Sequence, residues 1–214
     1  IHLTIDLNLQ YFSAVEAKKS YEENFADSVS IIAMDAQNGE ILSYVSYPSF
    51  DPNNYSLYSD NDRKNRITLT SYEPGSVYKV FSIASILNIG RIDGNSIFSC
   101  DGVYIDDVND IKINCLGVHG DIYTEGIIVH SCNDGTAQAS ETVSNEELYM
   151  SLRRFGFGSK TGITFNGESN GILRSNETWS ARSKPTISMG QESSTSAMQI
   201  ITAATALTNR GVLL

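Results

Sequence analysis

The chain has 214 residues, 41% of them hydrophobic, and its 15 lysines and arginines against 25 acidic residues give a formal charge of −10. This composition predicts a globular chain with a sizeable core, either one domain or part of one. The negative charge excludes nucleic acid and anionic membrane surfaces as expected partners. No stretch of the sequence reaches the roughly 20 apolar residues of a membrane span, and the first residues do not resemble a signal peptide. Any targeting segment or membrane anchor is therefore expected outside this chain.

The predicted elements begin with a helix in "IDLNLQYFSAVEAKKSYEEN", for which Asp6 is a candidate N-cap. The stretch "SVSIIAMDAQNGEILSYVSYP" then predicts two antiparallel strands, Ser28–Met34 and Glu40–Tyr47, around the turn pair Asn38-Gly39. Residues 51–66 are rich in Asn, Asp and Ser and predict a long exposed loop, and long loops often border active sites.

Next comes "SYEPGSVYKVFSIASILNIG", which predicts a largely buried helix that begins near Ser76 and ends at Gly90. Positions i and i+3 lie on one face at about 5–6 Å between Cβ atoms, so the Lys79 amine is within reach of the Ser76 hydroxyl. Burial lowers the pKa of a lysine, and a neutral amine accepts a serine proton. The pattern predicts a nucleophile with its base. Taken alone, Ser-x-x-Lys is also common by chance, as a helix-start serine with a lysine extending to the surface.

Three helices are predicted further along the chain. "TEGIIVH" is short and precedes Ser131, and "SNEELYMSLRRFG" carries a capping box of Ser144 and Glu147. The last helix, "SAMQIITAATALTNRG", ends at Gly211. Taken alone, Ser131 and Asn133 in "HSCN" indicate an ordinary helix cap and turn. The predicted secondary structure is mostly helical, with a small amount of antiparallel β-sheet.

The three cysteines are too few for a disulfide scaffold, and none forms a C-x-x-C pair. The histidines, His2, His119 and His130, show no metal-ligand spacing either. We therefore predict no metal and no cofactor. Cys100 and Cys115 flank "DGVYIDDVNDIKIN", which predicts a hairpin. A disulfide between them and a pair of buried free thiols both remain open at this stage.

The segment "YEPGSVYKVF" resembles the active-serine motif of penicillin-binding proteins, and "HSCN" resembles their Ser-x-Asn motif. Further similar segments follow the family's order along nearly the whole chain: "LTIDLNLQ", "GEILSYVSYPSFDPNNY", "HG", "LRRFGFGSKTGI", "GESNGIL", "SMGQ" and "NRGVLL". The chain is identified by this resemblance as a member of the class B family, in its transpeptidase domain. The implied fold is α/β, the penicillin-recognising serine transpeptidase and β-lactamase type, with an antiparallel sheet flanked by helices and an all-helical lobe.

The resemblance also implies a reaction. Ser76 would attack the D-Ala-D-Ala carbonyl of a peptidoglycan stem peptide, Lys79 would take the serine proton, Ser131 would relay a proton to the leaving amine, and Asn133 would bind the substrate amide. An amine of a second stem peptide would then resolve the acyl-enzyme into a cross-link, and β-lactams would block Ser76 covalently. The implied location is the extracytoplasmic face of the bacterial inner membrane, with proteins of a cell-wall synthesis complex as partners in division or cell shape.

The family's third motif is Lys-Ser/Thr-Gly on a strand, and the same letters occur at Lys160-Thr161-Gly162. Here they follow a helix and no strand-like run leads into them, so we interpret them as a structural loop. The catalytic third motif is then expected downstream, and residues 1–214 are expected to be a partial transpeptidase domain with an incomplete sheet. The extracytoplasmic location implied by the family favours the Cys100–Cys115 disulfide, with Cys132 free.

Three departures from the family pattern stand out. Val77 and Tyr78 replace the commoner Thr-Phe, "ITFNGE" stands where "IDLPGE" is typical, and Glu192 stands where glycine is usual. Glu192 is either a solvated charge or a residue that alters the edge of the cleft. Two alternative functions remain: a domain that hydrolyses or senses β-lactams, and a non-catalytic cell-wall scaffold that retains the motifs.

Overall fold

The structure is a computed structural model and describes residues 2–214. The helices are α1 (Leu7–Glu23), α2 (Asp60–Arg63), α3 (Arg66–Leu69), α4 (Lys79–Ile89), α5 (Thr124–Val129), α6 (Asn133–Glu141), α7 (Asn145–Arg154), α8 (Ser183–Ser188) and α9 (Ala197–Thr208), with 3-10 turns at Pro52–Leu57, Gly75–Tyr78 and Asn176–Thr178. The strands are β1 (Val29–Met34), β2 (Ile41–Tyr47), β3 (Ser71–Tyr72), β4 (Ile97–Cys100), β5 (Val103–Asp106), β6 (Ile111–Asn114), β7 (Gly120–Tyr123) and β8 (Thr195–Ser196). Within residues 2–214, no helix is both long and apolar enough to cross a bilayer.

The helix starts predicted at Asp6 and Ser144 are confirmed, whereas the last helix ends at Thr208, three residues before the predicted Gly211. The Asp6 carboxylate accepts a hydrogen bond of 2.9 Å from the Leu9 N–H at the start of α1. At α7 both halves of the capping box form: the Ser144 hydroxyl accepts from the Glu147 N–H, and the Glu147 carboxylate accepts from the Ser144 N–H. These contacts satisfy N–H groups that have no partner within the helix, which is why short local patterns predict helix starts well.

The chain divides into two compact units, and the first comprises the chain up to Ser71, Lys160–Ser169 and Ser196–Leu214. In it, β1 and β2 form the predicted antiparallel hairpin, with Val29 opposite Tyr47. The glycine of the predicted turn, Gly39, has φ +77°, a conformation in which a side chain would be strained. α1 lies against this hairpin, and the Gln10 amide exchanges two hydrogen bonds with the Tyr44 backbone.

Residues 51–66 of the same unit are more ordered than the predicted loop. They contain the 3-10 turn Pro52–Leu57 and the short helix α2, whose N-cap Ser59 forms a capping box with Asp62. Arg66 is buried, and its guanidinium donates to the carbonyls of Pro48 and Lys64. Polar composition predicted a long exposed loop because composition alone does not show that a buried arginine can bind several backbone carbonyls.

The second unit comprises Tyr72–Ser159 and Asn170–Thr195. Its core forms around α4, which contacts α5, α6, α7 and α8. The predicted hairpin between Cys100 and Cys115 is present as β5 paired with β6, and β4 pairs with β7 in a ribbon that the sequence did not suggest. The prediction of a largely buried helix is only partly right, because Val80 and Leu87 of α4, and Val77 in the preceding turn, are exposed. The α/β class with antiparallel pairing and flanking helices is confirmed.

Candidate active site

Ser76 lies in the 3-10 turn that leads directly into α4, so the predicted helix start is right to within one turn. The helix ends as predicted at Gly90, whose φ of +81° is left-handed. Ser76 is exposed, and its hydroxyl has no hydrogen-bond partner within residues 2–214. It is therefore accessible to a reacting group and is not engaged as a helix cap.

A close backbone contact fixes the turn that holds Ser76. The Gly75 N–H donates to the Gly190 carbonyl at 3.0 Å. A Cβ at position 190 would lie 2.2 Å from the Gly75 oxygen and 2.7 Å from the Tyr78 Cβ, both too close for any real contact. Gly190 also has φ +80°. Only glycine fits both the space and the backbone conformation, so the "SMGQ" segment positions the Ser76 turn.

Lys79 is buried, with 1% of its surface exposed, as the apolar run predicted. Its ammonium donates to the Ser131 hydroxyl at 3.1 Å, to the Ser131 carbonyl at 2.5 Å and to the Asn133 side-chain oxygen at 2.7 Å. These three bonds use all the donors of an ammonium group. The sequence predicted that Lys79 reaches the Ser76 hydroxyl. Lys79 makes no hydrogen bond to it here, because Ser131 and Asn133 accept from all three donors of the ammonium group.

Burial lowers the pKa of the Lys79 amine, while the nearby Cys115 and Cys132 thiols act in the opposite direction. The lowered pKa increases the neutral fraction of the amine at a given pH. A neutral amine has a lone pair with which it can accept a proton. The structure thus brings together three of the predicted residues, Lys79, Ser131 and Asn133, and gives the lysine the environment of a base.

Ser131 lies between α5 and α6 with φ +51°, a left-handed conformation that is uncommon for any residue except glycine. The Cys132 N–H donates to the Ile127 carbonyl at 2.9 Å, and the Asn133 side-chain amide donates to the Asn114 carbonyl at 3.0 Å. These contacts hold the segment in its strained conformation. The plain helix cap considered from the sequence therefore does not describe this site.

The structure shows the surroundings of two of the departures from the family pattern. Glu192 has φ +56°, which explains why glycine is usual there, and its carboxylate bonds to Arg174, Ser183 and Thr186. It is an organised group and not a solvated charge. Tyr78 is fully buried against Phe157 at 4.5 Å between ring centroids, and its hydroxyl has no partner within the described chain.

The residues Lys160-Thr161-Gly162 are not part of a strand, which confirms the interpretation of this segment as a loop. Lys160 is exposed, and the loop is anchored by the buried Glu168. The Glu168 carboxylate accepts from the Thr161 N–H at 2.7 Å, from the Thr161 hydroxyl at 2.6 Å and from the Gly162 N–H at 3.2 Å. The polar groups of this motif are thus bound within the protein itself.

The predicted Cys100–Cys115 disulfide is wrong for this structure, because all three cysteines are free thiols. The sequence analysis considered these two cysteines as a pair, and the structure brings Cys132 and His119 to the same place. Burial raises the pKa of the Cys132 thiol. At Cys115 burial acts in the same direction, but hydrogen bonds from the N–H groups of Asp134, Gly117 and Asn133 outweigh it and lower the pKa of the thiol.

Comparisons with known proteins identify the family to which the chain is similar. Residues 29–214 match the family described as "Penicillin binding protein transpeptidase domain". The chain is 32% identical over 214 residues to the probable peptidoglycan D,D-transpeptidase PenA of Neisseria gonorrhoeae, covering 100% of this chain and 36% of that protein. It is also 32% identical to stage V sporulation protein D of Bacillus subtilis, covering 99% of this chain and 33% of that protein. The chain therefore spans about a third of the length of these relatives.

Solved structures show the same fold. The transpeptidase domain of Burkholderia pseudomallei penicillin-binding protein 3 superposes with a TM-score of 0.88 at 28% identity, covering 99% of this chain and 59% of that chain. Penicillin-binding protein 3 of Mycobacterium tuberculosis, solved as a complex with aztreonam, gives a TM-score of 0.90 at 27% identity, covering 98% and 47%.

Proposed function

The chain belongs to the penicillin-binding protein transpeptidase domain family, in its class B branch, and from this premise we propose that it is part of a peptidoglycan D,D-transpeptidase. The substrates are stem peptides that end in D-Ala-D-Ala, and β-lactams are covalent inhibitors. The observation that carries this proposal is the buried Lys79 hydrogen-bonded to both polar residues of the Ser-x-Asn motif. The same observation argues against the non-catalytic scaffold. Burying a lysine is energetically unfavourable, and a site without a catalytic role would not need it.

In the acylation step, the Ser76 oxygen bonds to the carbonyl carbon of the penultimate D-Ala. The serine proton passes to the neutral amine of Lys79, and the resulting ammonium is held by Ser131 and Asn133. The Ser131 hydroxyl, 3.1 Å from that amine, relays a proton to the leaving nitrogen as the peptide bond breaks and D-Ala departs. Asn133 binds a substrate amide with its side chain.

In the second step, the amine of another stem peptide attacks the ester carbonyl. Its proton returns through Ser131 and Lys79 to the Ser76 oxygen as the acyl bond breaks. The same residues thus work in reverse, as expected when one acyl group passes between two amines. The product is a cross-link and the free enzyme.

We also propose that the third motif, a Lys-Ser/Thr-Gly strand, comes from a part of the protein outside residues 1–214. Two observations support this: Lys160-Thr161-Gly162 forms a loop bound to Glu168, and β1 and β2 pair only with each other within the described part of their unit. The whole protein would act at the extracytoplasmic face of the membrane, held by an anchor outside this chain, together with other proteins of wall synthesis in division or cell shape.

The test is covalent labelling of the full-length protein with a β-lactam. Intact-mass analysis is expected to show one adduct, and peptide mapping is expected to locate it at Ser76. Ser76→Ala should remove the adduct, whereas Val77→Ala, a change at the exposed neighbour, should keep it. An adduct that persists in Ser76→Ala contradicts the assignment of the nucleophile. Rapid nitrocefin turnover without a lasting adduct contradicts the transpeptidase in favour of a hydrolase.

A further inference from the structure

Four metal-ligating side chains converge beneath the Ser-x-Asn segment. They are the thiols of Cys100, Cys115 and Cys132 and the imidazole of His119, and their ligand atoms all lie within 4.8 Å of one another. Cys100 ends β4, Cys115 follows β6, His119 precedes β7, and Cys132 is the N-cap of α6. Two of the four are buried and the other two are partly buried. None of them takes part in the acyl-transfer steps described above.

Three of the six distances between these ligand atoms are close to the edges of a tetrahedron around a zinc ion, and the other three are no longer than 4.8 Å. Zn–S bonds of about 2.3 Å and Zn–N bonds of about 2.0–2.1 Å give tetrahedral edges of roughly 3.8 Å between two sulfurs and roughly 3.6 Å between sulfur and nitrogen. Here the Sγ atoms of Cys115 and Cys132 are 3.7 Å apart. The His119 Nδ1 atom is 3.4 Å from the Cys100 Sγ and 3.8 Å from the Cys115 Sγ.

Backbone N–H groups point at two of the sulfur atoms that would bind the metal. The Cys115 Sγ accepts from the Asn133 N–H at 3.3 Å, and the Cys132 Sγ accepts from the Gly135 N–H at 3.2 Å. Hydrogen bonds of this kind orient and stabilise metal ligands. The His119 ring is stacked on His130 at 5.1 Å between centroids.

We propose that Cys100, Cys115, His119 and Cys132 form a tetrahedral binding site for one zinc ion. Three thiolates and one imidazole are a donor set that zinc prefers in closed, structural sites. On binding, the three thiols release their protons to solvent, and His119 binds through Nδ1 with its proton on Nε2. The ion and its ligands then carry a net charge of −1. A simple disulfide would account for two of these sulfurs and would leave the third thiol and the imidazole unexplained.

The ion acts on the catalytic segment as a positioning group. Cys132 is the central residue of the Ser-x-Asn motif, and the Asn133 N–H is bonded to the Cys115 sulfur. A bound ion would therefore tie Ser131 and Asn133 to the β5–β6 hairpin and to β4. This consequence rests on the proposed function, whereas the binding of the ion does not.

The experiment uses the full-length protein, purified under reducing conditions and stripped with a chelator. Titration with Zn²⁺, followed by elemental analysis after desalting, is expected to give one equivalent with a dissociation constant of roughly 100 nM or tighter. Co²⁺ in place of Zn²⁺ should give sulfur-to-metal charge-transfer absorption and the visible bands of tetrahedral cobalt. Cys100→Ser and His119→Gln should weaken binding at least about 10-fold, and His130→Gln, which changes the stacked neighbour only, should not.

A second measurement does not depend on the variants folding. Zn²⁺ should protect all three thiols of the wild-type protein from iodoacetamide, as read by mass spectrometry. Less than half an equivalent of bound zinc at micromolar concentration, octahedral cobalt spectra, or equal alkylation with and without zinc would each overturn the proposal. Zinc binding by a protein that β-lactams do not label would contradict only the proposed function, and labelling of a protein that binds no zinc would contradict only this proposal.

Discussion

Lys79 lies in a Ser-x-x-Lys motif and Lys160 in a Lys-Thr-Gly sequence, and both patterns resemble motifs of penicillin-binding proteins. The surroundings of the two lysines differ in burial and in hydrogen bonding. Lys79 is 1% exposed, and its ammonium donates to Ser131 and Asn133. Lys160 is exposed, and its neighbours Thr161 and Gly162 donate to the buried Glu168. Burial lowers the pKa of Lys79 and prepares it to accept a proton. A sequence motif thus identifies a candidate catalytic lysine, while burial and hydrogen-bond partners determine whether that lysine can act as a base.

A large loss of acylation is expected when the hydrogen-bond partners of Lys79 are removed. Asn133→Ala, and separately Ser131→Ala, should lower the acylation rate constant of the full-length protein by about 10²–10³-fold, because each takes away a group that holds Lys79 or moves its proton. Stopped-flow acylation with a fluorescent penicillin measures this. Thr161→Ala, which alters the other motif, is the matched control and should stay within about threefold. An acylation rate constant for Asn133→Ala within threefold of the wild type would contradict a catalytic role for this residue.

A smaller loss is expected when the backbone that carries Ser76 is displaced. Gly190→Ala places a methyl group where the Gly75 oxygen lies 2.2 Å away, so the turn must move. A displacement of about 1 Å at a catalytic group costs roughly 10²-fold in rate. The acylation assay measures the loss, and circular dichroism checks that the helices remain. Gly94→Ala is a suitable control, since a Cβ there meets nothing within 4 Å. Unchanged acylation in Gly190→Ala would show that the turn tolerates movement.

Disrupting the loop at Lys160-Thr161-Gly162 should lower the stability of the protein without changing its acylation chemistry. Glu168→Ala removes one buried carboxylate and leaves the Thr161 N–H, the Thr161 hydroxyl and the Gly162 N–H without their acceptor. The free energy of unfolding should fall by about 1–3 kcal/mol, measured by urea titration. Acylation per folded molecule should remain unchanged. Glu177→Ala, at an exposed carboxylate, serves as the control for loss of charge. A large loss of acylation in folded Glu168→Ala would give the loop a catalytic role.

The smallest effect is a gain in stability beside the catalytic turn. Burial raises the pKa of the Tyr78 phenol, and its hydroxyl has no partner within residues 2–214. Tyr78→Phe removes this unpaired group and keeps the ring against Phe157. The free energy of unfolding should rise by about 1 kcal/mol, because a buried polar group without a partner is destabilising. Phe81→Leu, which trims a ring in the same cluster, should lower it instead. A lower stability for Tyr78→Phe would mean that the hydroxyl has a partner.

Local patterns in the sequence predicted the features that depend on a few consecutive residues. The cap at Asp6, the capping box of Ser144 and Glu147, and the end of α4 at Gly90 all follow from contacts within one or two turns. The proposed nucleophile and its base were also recognisable in this way, since Lys79 follows Ser76 by three positions and the flanking residues are apolar.

Features that need distant segments were not predictable. The contact of Gly190 with Gly75 joins parts of the chain far apart in sequence. The thiols and His119 come together only because β4 pairs with β7 and β5 with β6, so their spacing in the sequence follows no metal-binding pattern. The disulfide prediction failed for the same reason: it paired two cysteines along the chain and had no means of placing Cys132 beside them.

In the proposed mechanism, Lys79, and not Lys160, serves the nucleophile Ser76. The most direct test of this assignment is the second-order rate constant for acylation of the full-length protein by a penicillin, measured for Lys79→Ala and Lys160→Ala in parallel. Loss of a general base that also activates the nucleophile should lower the rate by about 10³-fold or more in Lys79→Ala. Lys160→Ala, a matched change at an exposed lysine, should acylate within about twofold of the wild type. A loss in Lys160→Ala as large as that in Lys79→Ala, or normal acylation in Lys79→Ala, would contradict the account.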